Sequence, residues 1–156
     1  MNRRIFGILA AGLLGLSGCT REQADPSVAV SNGAPIDLNA AITRARTDNK
    51  IVLLDFTGSD WCPPCKELQK EVFSQPDFQA YAATNLIFLV VDFPTGFHLP
   101  PDTSATNDLL SQKFDIQGFP TLVALNGEGK QIWQHVGFME GGPKALISAL
   151  DAAKGK

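Results

Sequence analysis

Two cysteines separated by two prolines form the part of the sequence best suited to chemistry. Cys62 and Cys65 stand in the run Trp-Cys-Pro-Pro-Cys. Cysteines three positions apart in a first helical turn lie on the same side, with a Cα separation of about 5 to 6 Å that suits a disulfide. The free N–H groups and dipole of a helix N-terminus favour thiolate over thiol, so Cys62 is the expected nucleophile. Cys65, one turn in and more buried, is expected to resolve the mixed disulfide.

The two intervening prolines limit how far the Cys62 thiolate is stabilised. Pro63 and Pro64 have no N–H, so two donors that would face the sulfur are missing, and only that of Cys65 remains. This favours a reductant or moderate exchanger over a strong oxidant. Because Pro63 precedes another proline, helical geometry is disfavoured there, and we predict that the helix starts at Pro64.

A cysteine pair with this spacing can also bind a metal ion or form a purely structural disulfide. A zinc site is disfavoured because there is no second Cys pair, and His98 and His135 are isolated and far apart in the chain. A copper(I) carrier remains the alternative, since soft thiolates suit that ion and His98 could assist. A purely structural disulfide is disfavoured because so short a loop constrains the unfolded chain little. We expect neither a metal nor an organic cofactor.

The N-terminus has the pattern of an export signal followed by a lipid anchor. Two arginines at positions 3 and 4 precede an uncharged apolar stretch over residues 5–18, which is shorter than the roughly 18 to 20 residues needed to span a bilayer. Residues 16–19, Leu-Ser-Gly-Cys, resemble the lipobox of bacterial lipoproteins. The resemblance implies a signal peptide over residues 1–18 and a lipid on Cys19. We therefore expect the protein in the cell envelope, anchored to a bacterial membrane and facing the periplasm or the exterior.

Beyond Cys19, composition divides the chain into a tether and one domain. Residues 19–35 are rich in small and polar residues without a period and are predicted to be a flexible tether. Residues 36–156 have the length and apolar content of one soluble domain, which we expect to be a monomer. The net charge of −3 and the absence of a basic cluster beyond the N-terminus argue against a nucleic-acid partner.

Helical and strand patterns alternate along the domain and predict an α/β fold. The predicted sheet is central and mixed, with four to five strands and helices on both faces. The predicted helices lie near residues 37–46, from the cysteine motif onward, over 77–83, through Leu109, Leu110 and Phe114, and from about Pro143. The predicted strands are residues 51–56, 86–91, 121–125 and 131–136, and residues 28–30 are an undecided fifth strand. A loop is expected over residues 93–103, which are rich in proline and glycine. Asp55 is unusual because it interrupts an apolar run of the kind found in fully buried strands.

Three short segments of the sequence resemble thioredoxin-like proteins. They are residues 54–56, Leu-Asp-Phe, residues 61–66, Trp-Cys-Pro-Pro-Cys-Lys, and residues 118–121, Gly-Phe-Pro-Thr. The resemblance covers roughly residues 36–153 and implies a thioredoxin-like fold. Residues 72–76, Val-Phe-Ser-Gln-Pro, are most similar to exported bacterial members and to the periplasmic C-terminal domain of membrane thiol-disulfide reductases. That similarity implies disulfide-containing protein substrates and an upstream membrane reductase or other redox partner.

The resemblance also implies roles for residues around the cysteines. Pro120 would be a cis-proline whose loop packs against the active-site disulfide. Trp61, Phe119, Pro63 and Pro64 would contact the substrate, although Trp61 and Phe119 also suit a simple place in the core.

Asp55 would be the buried acid that deprotonates Cys65, with strand-end capping of N–H groups as the alternative role. The match departs from the family at this point, because Asp55 lies seven residues before Cys62, where thioredoxin has six. Either a bulge absorbs the extra residue, or Asp60 takes part of the role.

Overall fold

A computed structural model describes residues 34–155 and the backbone of residues 28–29. The helices are α1 (Leu38–Asp48), α2 (Pro63–Leu68), α3 (Pro76–Asn85), α4 (Pro101–Lys113) and α5 (Gly142–Lys154). The strands are β1 (Val28–Ala29), β2 (Ile51–Thr57), β3 (Leu86–Asp92), β4 (Thr121–Leu125) and β5 (Gln131–Val136). A π-helical turn, Gln69–Phe73, continues α2. The predicted signal peptide, Cys19 and most of the predicted tether lie outside the described residues.

The strands form one mixed sheet in the order β1-β3-β2-β4-β5. β3 runs parallel to both β1 and β2, whereas β4 pairs antiparallel with β2 and with β5. The undecided strand is therefore present as β1, a two-residue strand at the sheet edge inside the predicted tether. The predicted central mixed sheet is confirmed.

Alternation along β2 divides the core into two layers, because successive side chains of a strand point to opposite faces. Ile51 and Leu53 pack with α2, α3 and α5, while Val52, Leu54 and Phe56 pack with α1 and α4. Helices thus cover both faces, as predicted. The same alternation places Asp55 on the face of Ile51 and Leu53, which is the face that α2 covers.

Local signals explain where two of the helices begin. Asp37 caps α1, with its Oδ1 accepting the N–H of Ala40 at 2.9 Å. The helix α4 begins at Pro101, inside the stretch predicted to be a loop up to residue 103, so that prediction was wrong at its end. Proline suits a first helical turn, where its missing N–H has no intrahelical partner to lose.

Among the described residues, none of the helices has both the length and the apolar character needed to cross a membrane.

Candidate active site

Cys62 and Cys65 are joined by a disulfide at the start of α2, with their Cα atoms 5.3 Å apart. Both residues are buried, Cys62 with 3% of its surface exposed and Cys65 with 4%. Cys62 has an extended backbone and stands just before the helix, whose first residue is Pro63. The prediction that the helix starts at Pro64 was therefore wrong by one residue. The fixed φ of proline matches the first helical position, and this outweighs the restriction imposed by the proline that follows.

A turn before Cys62 takes up the extra residue of this sequence. The N–H groups of Trp61 and Cys62 both donate to the carbonyl of Gly58, at 3.3 and 2.9 Å. β2 remains regular through Thr57, so the extra residue causes no bulge at Asp55. A Cβ at position 58 would overlap the indole of Trp61, and glycine is therefore the residue that fits this turn.

Asp55 lies in the wall of a cleft that also reaches Cys65. The cleft has a volume of about 370 Å³ and is lined by Asp55, Thr57, Ser59, Cys65, Lys66, Gln69, Lys70, Ser74 and Val90. The Asp55 carboxyl is buried, and its Oδ1 has no hydrogen-bond partner among the described residues. Burial, and to a lesser degree the charge of Asp92, raise the pKa of Asp55 to about 7. A carboxyl with this pKa exchanges protons readily near neutral pH.

Asp60 is engaged elsewhere. Its carboxylate accepts the backbone N–H groups of Thr95 and Gly96, and its carbonyl accepts Lys66 Nζ at 2.7 Å. The bond from Gly96, followed by that from Thr95, holds the pKa of Asp60 below its ordinary value. Asp60 also does not line the Cys65 cleft, so the geometry favours Asp55 as the proton acceptor, a role that stays a prediction.

Trp61, which directly precedes Cys62 in the chain, packs against Phe119, which directly precedes a cis-proline. The Phe119–Pro120 peptide bond is cis, and Pro120 is buried. The ring of Phe119 contacts the indole of Trp61 edge-on at 5.8 Å between centroids, and Trp61 is 45% exposed. Since both rings remain partly accessible, they are available to a docking partner in addition to packing on each other.

Residues 59–61 hydrogen-bond to the end of β3 and to the loop that follows it, residues 93–100, and these contacts were not predicted from the sequence. Ser59 N and Oγ donate to the carboxylate of Asp92, Asp60 accepts from Thr95 and Gly96, and Trp61 Nε1 donates to the carbonyl of Phe93 at 2.7 Å. The available signal was the position of Asp92. It ends the parallel neighbour of β2, and the carboxyl ends of parallel strands meet at one edge of a sheet.

Within the described part of the chain, no group of three or more His, Cys, Asp or Glu side chains is placed to hold a metal ion. His98 is exposed on the 93–100 loop. His135 is half-buried on β5 and stacks on Trp133. Neither histidine lines the cleft beside Cys65.

Comparison with known proteins identifies the family. A family model described as a thioredoxin-like domain matches residues 38–154, and the chain therefore belongs to the thioredoxin-like domain family. The resemblance seen in the sequence is confirmed.

Related proteins in this family carry names that describe reactions of disulfides. The disulfide bond reductase DsbH of Chlamydia pneumoniae is 35% identical over 113 residues, which are 72% of this chain and 68% of the relative. A solved DsbH oxidoreductase structure is similar with a TM-score of 0.71 at 32% identity, over 89% of this chain and 95% of that chain. The oxidised C-terminal domain of DsbD from Neisseria meningitidis gives a TM-score of 0.54 at 25% identity, over 74% of this chain and 92% of that one. Together with the Cys62–Cys65 pair, these relatives make the chain a thiol-disulfide oxidoreductase.

Proposed function

We propose that the protein reduces or exchanges protein disulfides in the bacterial cell envelope through a dithiol-disulfide cycle of Cys62 and Cys65. One observation carries the proposal: the two cysteines form a bridge at the start of α2, and the inner one lines a cleft with a carboxyl whose pKa is about 7. This arrangement combines a disulfide at a helix N-terminus with a carboxyl that can accept the proton of the inner cysteine.

In the proposed cycle, the thiolate of Cys62 attacks one sulfur of a substrate disulfide. The substrate bond breaks, a mixed disulfide with Cys62 forms, and the other substrate sulfur leaves as a thiolate that takes up a proton. Asp55 accepts the proton of Cys65, whose thiolate then attacks Cys62 Sγ and releases the second substrate sulfur as a thiolate. This thiolate also takes up a proton, and Asp55 returns its proton to the solvent. The substrate has gained two electrons and two protons, and the protein holds the Cys62–Cys65 disulfide.

The prolines between the cysteines support the reducing direction. Cys62 has an extended backbone, Pro63 occupies the first helical position and Pro64 the second, and neither proline has an N–H to donate. A less stabilised thiolate makes the reduced form a better electron donor, so the pair is expected to pass electrons to substrates. An upstream membrane thiol-disulfide reductase or another redox partner would then restore the dithiol.

The proposed location within the cell rests on the N-terminal sequence. We propose that residues 1–18 are removed, that Cys19 carries a lipid, and that residues 20–35 connect it to the domain. The lipobox pattern supports this. Mass spectrometry of the mature protein tests it: a first residue Cys19 with the mass of a lipid is expected, and an unmodified Cys19 or cleavage at another residue would contradict the proposal.

Disulfide reductase activity is the direct test of the cycle. The full chain should reduce the interchain disulfides of insulin with dithiothreitol as electron donor, and Cys62→Ser should abolish this activity. Cys65→Ser should instead accumulate a mixed disulfide between Cys62 and substrate, visible on a non-reducing gel. Activity retained by Cys62→Ser would overturn the proposal. A copper(I) titration of the same samples addresses the carrier alternative, which tight binding without turnover would favour.

A further inference from the structure

We propose that the amino end of the sheet, where β2 and β3 begin, is a membrane-docking surface with a basic pocket for the phosphate of an anionic phospholipid headgroup. Arg46, Lys50 and Lys154 form the basic pocket. The inference rests on the proposed lipid on Cys19, because that anchor is what brings the domain to a bilayer. It goes beyond the anchor by assigning which end of the domain faces the membrane.

The chain enters the sheet from its amino end. β1 runs parallel to β3, with Val28 beside Phe88, so the residues that precede β1 approach from the end at which β3 begins. The disulfide lies beyond the opposite end. β2 runs from Ile51 at the amino end to Thr57, a length of about 20 Å at 3.3 Å per residue, and Cys62 follows after a turn. An anchor attached before β1 therefore suits an orientation in which the disulfide faces away from the bilayer.

Three cations and one acid line a pocket at the amino end. The pocket has a volume of about 250 Å³, which is room for a phosphodiester group, and its charged lining is Arg46, Lys50, Lys154 and Glu128. The cations come from α1, from the residue before β2 and from the end of α5. The fold brings them together from distant segments, which is why the sequence shows no basic cluster there.

Backbone carbonyls hold the three cations of the basic pocket in place. Arg46 Nε, Lys50 Nζ and Lys154 Nζ each donate to one carbonyl, over distances of 2.7 to 2.8 Å. Among the described residues, none of the three forms a salt bridge with a carboxylate. Each ammonium keeps two further N–H donors and the guanidinium keeps four. The basic pocket therefore offers positioned, positively charged donors to an anion.

The charge of the amino end is opposite to that of the domain as a whole. Residues 34–155 contain nine lysines and arginines and fourteen acidic residues. Four of these cations lie at the amino end, namely the three of the basic pocket and Lys130 in the turn between β4 and β5. The acids beside them are Glu128 and two that other side chains engage, Asp48 and Asp151. An anionic bilayer should thus attract this end of the domain and repel the rest.

Lysine acetylation of the lipidated full chain measures which end meets the bilayer. The protein is added to preformed vesicles of equal parts phosphatidylcholine and phosphatidylglycerol, or kept in detergent, and treated with a reagent that does not cross membranes. We expect Lys50 and Lys154 to react at least about five-fold more slowly in the vesicles, the factor expected of one cation at an anionic surface. Lys66, beside Cys65, and Lys144, in the first turn of α5, should react at the same rate in both samples.

Lys154→Gln and Lys144→Gln are a matched pair, because they make the same change at opposite ends of α5. Lys154→Gln should reduce the protection of Lys50 by about five-fold, whereas Lys144→Gln should leave it unchanged. Unchanged protection in Lys154→Gln would contradict the basic pocket. Thermal unfolding establishes that both variants are folded, and the comparison of vesicles with detergent in the wild type does not depend on either.

Three further results would overturn the docking surface and leave the anchor in place. The first is equal rates at Lys50 and Lys154 in vesicles and in detergent. The second is equal protection in vesicles of phosphatidylcholine alone, which would show proximity to a bilayer without recognition of an anionic headgroup. The third is equal protection by inorganic phosphate added to the detergent sample, which would show a site for small anions in solution.

The mass of the peptide that begins at Cys19, read from the same spectra, distinguishes failure of the docking surface from failure of the anchor. A peptide without lipid would overturn the proposed anchor and the docking surface with it. A lipid on Cys19 together with unprotected Lys50 and Lys154 would overturn the docking surface alone.

Discussion

Ser59 holds the carboxylate of Asp92 with two hydrogen bonds, from its backbone N–H at 2.9 Å and from its hydroxyl at 2.6 Å. Asp92 pairs in register with Thr57, two residues beyond Asp55 on the same strand. The charge of Asp92 is thus fixed near the buried carboxyl and adds to the effect of burial on its pKa. The active-site turn therefore influences the pKa of Asp55 through Asp92.

Asp92→Asn tests this influence on the resolving step. Without the neighbouring charge, the pKa of Asp55 should fall below about 7, although burial keeps it above its ordinary value. The pH midpoint of substrate release from the Cys62 mixed disulfide should move to lower pH, measured by single-turnover kinetics from about pH 5 to about pH 9. Asp108→Asn, which removes an exposed acid on α4, should leave the midpoint in place. An unshifted midpoint in Asp92→Asn would contradict the coupling.

The buried Asp55 should also make stability depend on pH. The pKa of Asp55 is 3.8 in the unfolded chain and about 7 in the folded chain, so between these pH values only the folded chain keeps the proton. Its contribution is therefore fully present below pH 3.8 and is lost as the pH rises to about 7, a loss on the order of 4 kcal/mol in the free energy of unfolding.

Asp55→Asn should remove this loss. The free energy of unfolding of the variant, taken relative to that of the wild type, should therefore be higher at about pH 7 than at about pH 4. Urea denaturation of the oxidised proteins at several pH values measures the difference. The control Asp108→Asn should follow the wild-type curve. Parallel curves for Asp55→Asn and wild type would show that Asp55 ionises alike in both states.

Gly58→Ala should destabilise the turn that positions Trp61. A Cβ at position 58 overlaps the indole, and relieving the overlap must displace either Trp61 or the turn, at a cost of about 1 to 3 kcal/mol. Gly118→Ala is the control, because a Cβ there meets nothing within 4 Å. Denaturation midpoints of the two variants give the comparison, and equal midpoints would argue against tight packing at Gly58.

Pro64→Ala should make Cys62 more reactive. The substitution restores an N–H at the second helical position, where it can donate to a thiolate on the residue that precedes the helix. Alkylation of Cys62 in the reduced protein at about pH 6, followed by peptide mapping, should then be several-fold faster than in wild type. Pro76→Ala, at the start of α3, controls for loss of a helix-initiating proline. An unchanged rate would remove the argument that the prolines limit the thiolate.

The sequence predicted the parts of this fold that depend on local pattern. The strand signals at residues 121–125 and 131–136 matched β4 and β5 without error, because each is bounded by a turn or a change of period. The interruption of an apolar strand by Asp55 also pointed correctly to a buried acid. Each of these features can be read from neighbouring residues alone.

Features that depend on contacts between distant segments could not be predicted. The fastening of residues 59–61 to the 93–100 loop joins residues more than thirty positions apart, with no periodic signal in either segment. The contacts of Thr95 and Gly96 with Asp60, which lies outside the cleft lined by Asp55 and Cys65, likewise could not be predicted from the sequence. The π-helical turn after α2 has no sequence signature that separates it from an ordinary helix.

If Cys19 carries a lipid, the pairing of β1 with β3 limits the distance that the domain can move from the membrane. With Val28–Ala29 held at the sheet edge, only residues 20–27 are left between the lipid and the sheet. Eight residues at full extension cover about 28 Å, less than the width of many folded proteins. Substrates and the electron donor would then have to approach the bilayer surface to react with the anchored protein. A longer spacer inserted before residue 28 should increase the range of substrates that the anchored protein can reach.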